Sequence, residues 1–286
     1  MARLTWLQPF TATTPQEAAD PGILRHRAHR DGYLLLRGLL PPHELLAVRA
    51  GVLRVLLGAG WCDEAARVPP ELPRHAEGAD PEFMALYDGV QRLEAFHRLA
   101  LHPALLGAFE ALWGEAVLPH PRNIARIMFP RHTRTTTPAH QDHLLIGGTP
   151  ETWTAWIPLG DCPLGLGGLA VMTGSHREPL LPVSPAAGAG GVTVDADALP
   201  HPWVGGDLEA GDVLAFHSHT VHAALPNLSP DRLRLSVDFR YQPLSHPVRA
   251  DSLQPHYGRL SWEEIYAGWA STEGQYYWRA LGPNVV

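Results

Sequence analysis

The chain has no lysine: all 22 of its basic residues are arginine. That absence removes Schiff-base chemistry, a phosphate-binding loop with its lysine, and any lysine general base. Cysteine is nearly as scarce. Cys62 and Cys162 stand far apart and outside any CxxC spacing, so free thiols in a reducing compartment are expected rather than a thiolate metal site or a disulfide. No uninterrupted apolar run approaches the length a bilayer requires, and Met1 to Thr14 lack a charged-then-apolar leader pattern; the expectation is a cytoplasmic protein with no membrane partner. Positive charge is also in deficit. With histidines neutral the net charge is 22 − 29 = −7, which argues against nucleic acid or an anionic membrane surface as a partner. Arg25, Arg27 and Arg30 make only a local cluster, read as a solvated helix face. A small-molecule substrate is expected, and nothing in the sequence marks an oligomeric state.

What is present suffices for a folded globular protein. A chain of 286 residues with 45% hydrophobic content can bury a substantial core. Thr14-Pro15-Gln16-Glu17 is a helix start with a capping residue, a proline in the first turn and a returning glutamate, and the helix is expected to run to about Arg30. A strand at Tyr33 follows. Apolar residues at helical spacing (Leu45, Val48, Val52, Val55, Leu56) predict a helix over Pro42 to Leu57, and Asp80 to Leu99 and Pro103 to Trp113 read as two more. From Ala116 onward short strands broken by Gly and Pro take over, among them Asn123 to Phe129, Thr152 to Leu159, Leu169 to Met172 and Val213 to Phe216. Helices followed by strands predict a mainly β protein with helices packed outside a β sandwich.

The candidate chemistry lies in histidine and aspartate. The tripeptide His140-Gln141-Asp142 alone is weak evidence, because composition supplies about one His-x-Asp match by chance. His29-Arg30-Asp31 matches equally well, and His75-Ala76-Glu77 and His176-Arg177-Glu178 match the glutamate version; all three are read as structural. Context separates His140. It follows the strand Asn123 to Phe129 and the segment Thr135-Thr136-Thr137-Pro138, and it opens the apolar run His143-Leu144-Leu145-Ile146 before Gly147-Gly148. In an extended chain residues i and i+2 share a face, so one metal could bridge His140 and Asp142.

Beyond Gly211-Asp212, the strand from Val213 delivers His217, His219 and His222. His222 is the chosen third ligand, since Ala223 to Asn227 reads as a short strand ending in a turn, after which Arg232 to Tyr241 could return beside it. Two histidines and one carboxylate form the face that holds non-heme Fe(II) with positions left open. On the returning strand Leu233, Leu235, Val237 and Phe239 face one way, and Arg232, Arg234, Ser236, Asp238 and Arg240 the other; in isolation the polar face reads equally well as solvated. A planar guanidinium at Arg234 offers paired donors to a carboxylate at any working pH.

His140-Gln141-Asp142, Gly167-Gly168-Leu169, Gly174-Ser175-His176, Gly211-Asp212, His222 with Asn227, and Arg234-Leu235-Ser236 together resemble the phytanoyl-CoA dioxygenase family of Fe(II)/2-oxoglutarate oxygenases. The resemblance spans roughly residues 30 to 242 and begins at Asp31-Gly32-Tyr33-Leu34-Leu35-Leu36-Arg37-Gly38. It implies a double-stranded β-helix (jelly roll, cupin-like) core with the N-terminal helices outside. It makes His140, Asp142 and His222 the iron ligands and Arg234, assisted by Ser236, the seat of the distal 2-oxoglutarate carboxylate. O2 would take the remaining position, and an unactivated C–H bond of a small metabolite would be hydroxylated with release of succinate and CO2. The carboxylate of Asp142 disfavours halogenation, whereas desaturation and ring closure stay open.

Gln141, Trp156 and Arg126 are further candidates beside the cofactors, with His143 flanking the ligands, and Gly174-Ser175-His176 is read as a turn. The layout implied is one oxygenase domain over 1–286: a helical part at about 14–113, the jelly roll at about 115–243 and an aromatic-rich extension at 244–286. Pro182 to Pro202 reads as a surface insertion, with a lid over the site as the alternative, and Trp262, Tyr266, Trp269, Tyr276, Tyr277 and Trp278 read as core packing. Two other functions fit the triad: a jelly-roll zinc or manganese hydrolase or isomerase, which has no use for Arg234-Leu235-Ser236, and a noncatalytic metal-binding homologue.

Overall fold

A computed structural model describes residues 6–70, 72, 80–131 and 136–286, so His75-Ala76-Glu77 and Thr135 lie outside the described residues. Helix α1 (Pro15–Ala18) opens with the expected capping box: the Thr14 hydroxyl accepts from the Glu17 amide, and the Thr14 amide donates to Glu17. The single helix expected to reach Arg30 is two. Pro21 has no amide to continue α1, and Asp20 caps a fresh start at α2 (Pro21–Asp31). Arg27 on α2 corrects the solvated-face reading. It is buried, pairs with Glu17 at 2.7 Å and donates to the Ala12 and Thr11 carbonyls, leaving Arg25, which donates to the Ala111 and Leu112 carbonyls, and Arg30, paired with Asp31, as the exposed ones.

Helix α3 (Pro42–Gly58) buries Leu45, Val48, Val52 and Leu56, each contributing about 1.5–3 kcal/mol against exposure. The helix expected over Asp80 to Leu99 breaks into α4 (Pro81–Gln91) and α5 (Glu94–Leu99), because Leu93 is extended and the Gln91 carbonyl bonds the His97 ring at 2.8 Å instead of a further helical amide. Helix α6 (Pro103–Trp113) completes this layer.

The strands are, in chain order, β1 (Gln8–Pro9), β2 (Ala12–Thr13), β3 (Tyr33–Leu36), β4 (Val117–Pro119), β5 (Ile124–Met128), β6 (Trp153–Pro158), β7 (Leu169–Met172), β8 (Val183–Pro185), β9 (Val192–Val194), β10 (Trp203–Gly205), β11 (Val213–His217), β12 (His222–Ala224) and β13 (Arg234–Pro243). The larger sheet runs β2-β3-β11-β6-β13, with β5 and β4 sharing the far edge of β13. The smaller runs β1-β10-β7-β12. Between them lies the interior of a jelly roll, filled by Tyr33, Leu35, Trp156, Leu214 and Phe216 from one sheet and Leu169, Val171 and Val204 from the other. The outer face of the larger sheet, with Ala155, Ile157, Leu235, Val237 and Phe239, packs against α3 to α6.

Two sequence expectations change here. Strand β13 does not return beside β12, since β12 pairs with β7 and β13 with β6, β5 and β4 in the opposite sheet. Asn227 redirects the chain across the sandwich by donating to the Met128 and Arg232 carbonyls. The polar face of β13 is not solvated either: Arg234, Ser236, Asp238, Arg240 and Gln242 are all buried, pointing into the jelly roll. Charge there is costly unless paired, which makes that face the place to look for function.

Residues 182–202 hold a β8-β9 hairpin rather than structureless chain, pinned by the Val194 amide and Thr193 hydroxyl on the Ala139 carbonyl. In the C-terminal extension, α8 (Trp262–Tyr266) and α9 (Tyr277–Leu281), numbered after a short α7 in the site, bury Trp262, Tyr266 and Trp278 against Leu118 and Val248, as core packing requires. Cys62 and Cys162 are free and buried in different clusters. No described helix is long and apolar enough to cross a membrane.

Burial of neutral imidazoles predicts acid lability. Desolvation pushes His97 and His120 down to about 4, with the Gln91 carbonyl and the Gln242 amide opposing it respectively. A folded-state pKa below the unfolded one gives stability that is complete above the unfolded value and is lost as pH falls towards the folded one. Each histidine should therefore cost about 2 kcal/mol of unfolding free energy between pH 7 and pH 5. Urea midpoints at the two pH values measure this, and His97→Gln should reduce the difference.

Candidate metal centre

His140 and His222 are cross-strand partners. Each donates its amide to the other's carbonyl, at 3.0 and 3.1 Å, so one antiparallel rung extends the edge of the smaller sheet and sets the two backbones about 5.5 Å apart. Their rings stand 4.2 Å apart between centroids, and Phe216 packs on the His222 ring at 4.3 Å. Asp142 reaches the same point by another route than the extended one expected. After the rung the chain turns helical, Asp142 has α-region dihedrals, and α7 (His143–Ile146) replaces the apolar run.

The donor atoms of His140, Asp142 and His222 lie within 4.8 Å of one another, the one such group of three among the described residues. The histidines are aimed by their far nitrogens: Nδ1 of His140 meets the Pro138 carbonyl at 2.9 Å, and Nδ1 of His222 the Thr220 carbonyl at 3.0 Å. A carbonyl only accepts, so both Nδ1 atoms carry the proton and both Nε2 lone pairs point at Asp142, 3.5 and 3.8 Å from its Oδ1. The Thr154 hydroxyl on β6 donates to Asp142 Oδ2 at 2.5 Å and fixes the carboxylate plane.

Electrostatics keep the set ready for a cation. Burial works to raise Asp142, but Arg240, the His140 contact and His222 together hold its carboxyl well below the usual range. Burial, then the neighbouring His140, push His222 down to about 3, leaving it neutral at physiological pH. Two imidazoles and one carboxylate, all buried and converging on one point, fit a divalent transition ion.

Two recesses meet at this triad and share Arg126, Thr137, His140 and Asp142 as walls. The inner one ends at Arg234, which is buried, donates to the Gly167 carbonyl at 2.8 Å and the Ser236 hydroxyl at 2.7 Å, and lies 5.7 Å over the Trp156 ring. Gly167 makes this possible. It has φ +89° and so close an approach that a Cβ would sit 2.6 Å from the Leu225 carbonyl oxygen. The outer recess is a cavity of about 180 Å³ whose rim includes Ala189 and Gly190 of the β8-β9 turn together with His256 and Tyr257 of the C-terminal extension.

The structure thus brings His140, Asp142, His222, Arg234, Ser236, Trp156 and Arg126 together. Gln141 it does not: that amide is spent on the His219 carbonyl and the Leu181 amide and lines neither recess. The His219 ring lies tilted against His143 at 4.9 Å between centroids, and His217 against His176 at 5.6 Å. The two rival tripeptides among the described residues serve structure. His176 bonds the His29 carbonyl and packs on Gly32 at the end of α2, while Glu178 pairs with His201. Thr154, His120, Arg122, Arg240 and His256 were not singled out from sequence. Arg240 alone had a signal, its shared parity with Arg234 on β13.

A buried two-histidine, one-carboxylate centre inside a jelly roll, with an arginine-ended recess beside it, defines the non-heme iron, 2-oxoglutarate-dependent oxygenases as a class. Within that class the chain belongs to the phytanoyl-CoA dioxygenase family, whose description, Phytanoyl-CoA dioxygenase (PhyH), matches residues 28–235. It is 30% identical over 238 residues to the 1-deoxypentalenic acid 11-beta-hydroxylase of Streptomyces exfoliatus, spanning 78% of this chain and 82% of that protein. Among solved structures it is similar to the epimerase SnoN in complex with Fe3+, alpha ketoglutarate and nogalamycin RO, with TM-score 0.58 and 26% identity over 80% of this chain and 86% of that one. It also resembles SnoK, a non-heme alpha ketoglutarate-dependent carbocyclase from nogalamycin biosynthesis, with TM-score 0.54 and 26% identity over 89% and 94% of the two chains.

Proposed function

We propose that this chain is an Fe(II)/2-oxoglutarate-dependent hydroxylase of a small secondary metabolite, with His140, Asp142 and His222 holding the iron. The observation that carries the reading is the pair of Nδ1 atoms tied to backbone carbonyls, which commits both Nε2 lone pairs to one point beside a buried carboxylate. Bound iron and cosubstrate would supply the oxidising power, coupling decarboxylation of 2-oxoglutarate to insertion of one oxygen atom into a C–H bond.

The protein's part is positioning and exclusion of water. Arg234, preset by Gly167 and Ser236, receives the distal carboxylate at the end of the inner recess, and Trp156 gives that recess an apolar wall. Thr154 keeps Asp142 oriented, and Arg126, paired with Asp238 at 2.8 Å, stands where the two recesses join. The substrate then enters from the outer cavity, across the triad from the cosubstrate. A zinc or manganese hydrolase would leave the Arg234 recess without a task. We also take residues 1–286 as one oxygenase domain, and place it in the cytoplasm, which the two buried free thiols support.

The deciding experiment is succinate formation from 2-oxoglutarate with Fe(II), in air and under argon. Succinate should accumulate only in air, slowly without substrate; equal yields in both atmospheres, or none in either, would remove the oxygenase reading.

A further inference from the structure

The outer cavity carries more positive charge than the protein neutralises. Arg122, Arg126 and Arg240 all line it. Arg126 is matched by Asp238 at 2.8 Å. Arg122 has Asp251 only at 3.9 Å, a carboxylate that also holds Arg249 at 2.9 Å, and the buried Nε of Arg122 has no acceptor among the described residues.

Arg240 is the extreme case. Its side chain is 8% exposed, its Nη2 lies 3.7 Å from Asp142 Oδ1, and its buried Nε has no acceptor among the described residues. Asp142 is a poor counter-ion for it in the working enzyme, because that charge is turned to the metal. The surplus is felt nearby: burial first, then Arg126, Arg240 and Arg122, hold His256 well below the usual imidazole value. A buried guanidinium whose Nε is unmet and whose carboxylate partner is turned to a metal is costly, so a fold that keeps one facing a cavity leaves room for an anion from outside.

We propose that the substrate is an anion, a carboxylic acid on a compact apolar skeleton, whose carboxylate is received by Arg240 and Arg122. This rests on the oxygenase reading and narrows it to a substrate class. A guanidinium fork matches a carboxylate in shape and charge. Ile124, Leu145 and Ile146 give the same cavity apolar walls for the skeleton, and about 180 Å³ is below the span typical of drug-sized ligands, which favours a compact molecule. Since Arg240 is separated from the metal position only by Asp142, the C–H bond attacked lies a few bonds from the acid group rather than at the far end.

The test is calorimetric titration of the full chain loaded with Fe(II) and 2-oxoglutarate under argon, with adamantane-1-carboxylate, adamantane-1-carboxamide and cyclohexyl phosphate as probes. The carboxylate should bind the wild type at least about tenfold more tightly than the amide, as a charge-assisted hydrogen bond allows. Arg240→Gln and Arg122→Gln should each close most of that gap. Arg122 touches no metal ligand, so its variant decides the matter if Arg240→Gln loads iron poorly.

Equal binding of acid and amide by the wild type, no binding of the acid, preference for the phosphate, or discrimination surviving both substitutions would overturn the proposal. So would discrimination lost only in Arg234→Gln, which would put the acid in the cosubstrate recess. Oxygen-dependent succinate from the same preparation separates the two levels. If it is absent, the hydroxylase reading fails whatever binds; if it is present while acid and amide bind alike, only the substrate class fails.

Discussion

His140→Ala and Asp142→Ala should each bring oxygen-dependent succinate formation to background, a loss greater than the roughly 10- to 100-fold that removal of a supporting residue costs a metal site. The reason is geometric and electrostatic at once. Two donors remain in either variant, too few to hold a labile divalent ion with the third side cut away. In Asp142→Ala the Arg240 guanidinium also loses its nearest carboxylate, 3.7 Å away, and becomes a repulsive charge facing the metal position. Asp142→Asn separates those effects, since it keeps the shape and the Thr154 contact while discarding the charge. Iron content after desalting and succinate yield are the measurements. His29→Ala, which alters the same tripeptide at the exposed end of α2, is the control and should keep wild-type turnover. Wild-type iron content in His140→Ala would sink the ligand assignment.

Arg234→Ala should spare iron binding and instead raise the 2-oxoglutarate KM. A hydrogen bond to a charged group contributes about 1.5–3 kcal/mol, which corresponds to roughly a ten- to a hundredfold change in affinity. The substitution also strands the Gly167 carbonyl and the Ser236 hydroxyl, so part of the effect is loss of a preset recess. Arg234→Lys should recover only a fraction, because an ammonium cannot reproduce a planar fork held by two fixed acceptors. An unchanged KM in Arg234→Ala at limiting cosubstrate would show that the dicarboxylate is anchored elsewhere.

Much of this site was legible from sequence because its chemistry sits in short strings beside strong turn signals. His140 with Asp142, His222 beyond Gly211-Asp212, and Arg234 with Ser236 are each weak alone and gain meaning from their order along the chain. The reading failed where the deciding physics is not local. Alternation on β13 shows that Arg240 shares a face with Arg234, but it cannot say whether that face meets solvent or the inside of a jelly roll, since both give the same period. Thr154 is one polar residue on a buried strand, and its meaning comes only from a carboxylate twelve positions earlier in sequence.

Gln141 misled for the opposite reason. Lying between His140 and Asp142, it looked functional, yet the chain's turn into α7 sends its side chain to the backbone behind the site. The helix boundaries at Pro21 and Leu93 follow the same logic: periodicity continues through both, and a proline in one case and the His97 ring in the other end the hydrogen-bond ladder.

The rung joining residues 140 and 222 has an implication for how such a scaffold can diversify. Spacing between paired strands is a property of the peptide backbone and is indifferent to which side chains surround it. The two imidazoles therefore inherit their separation from main-chain geometry, while the walls of the outer cavity are side chains of β5, α7 and β13 together with a hairpin tip and a terminal extension, each open to substitution. New substrates can be accommodated by redecorating those walls, with the His140, Asp142 and His222 triad left untouched.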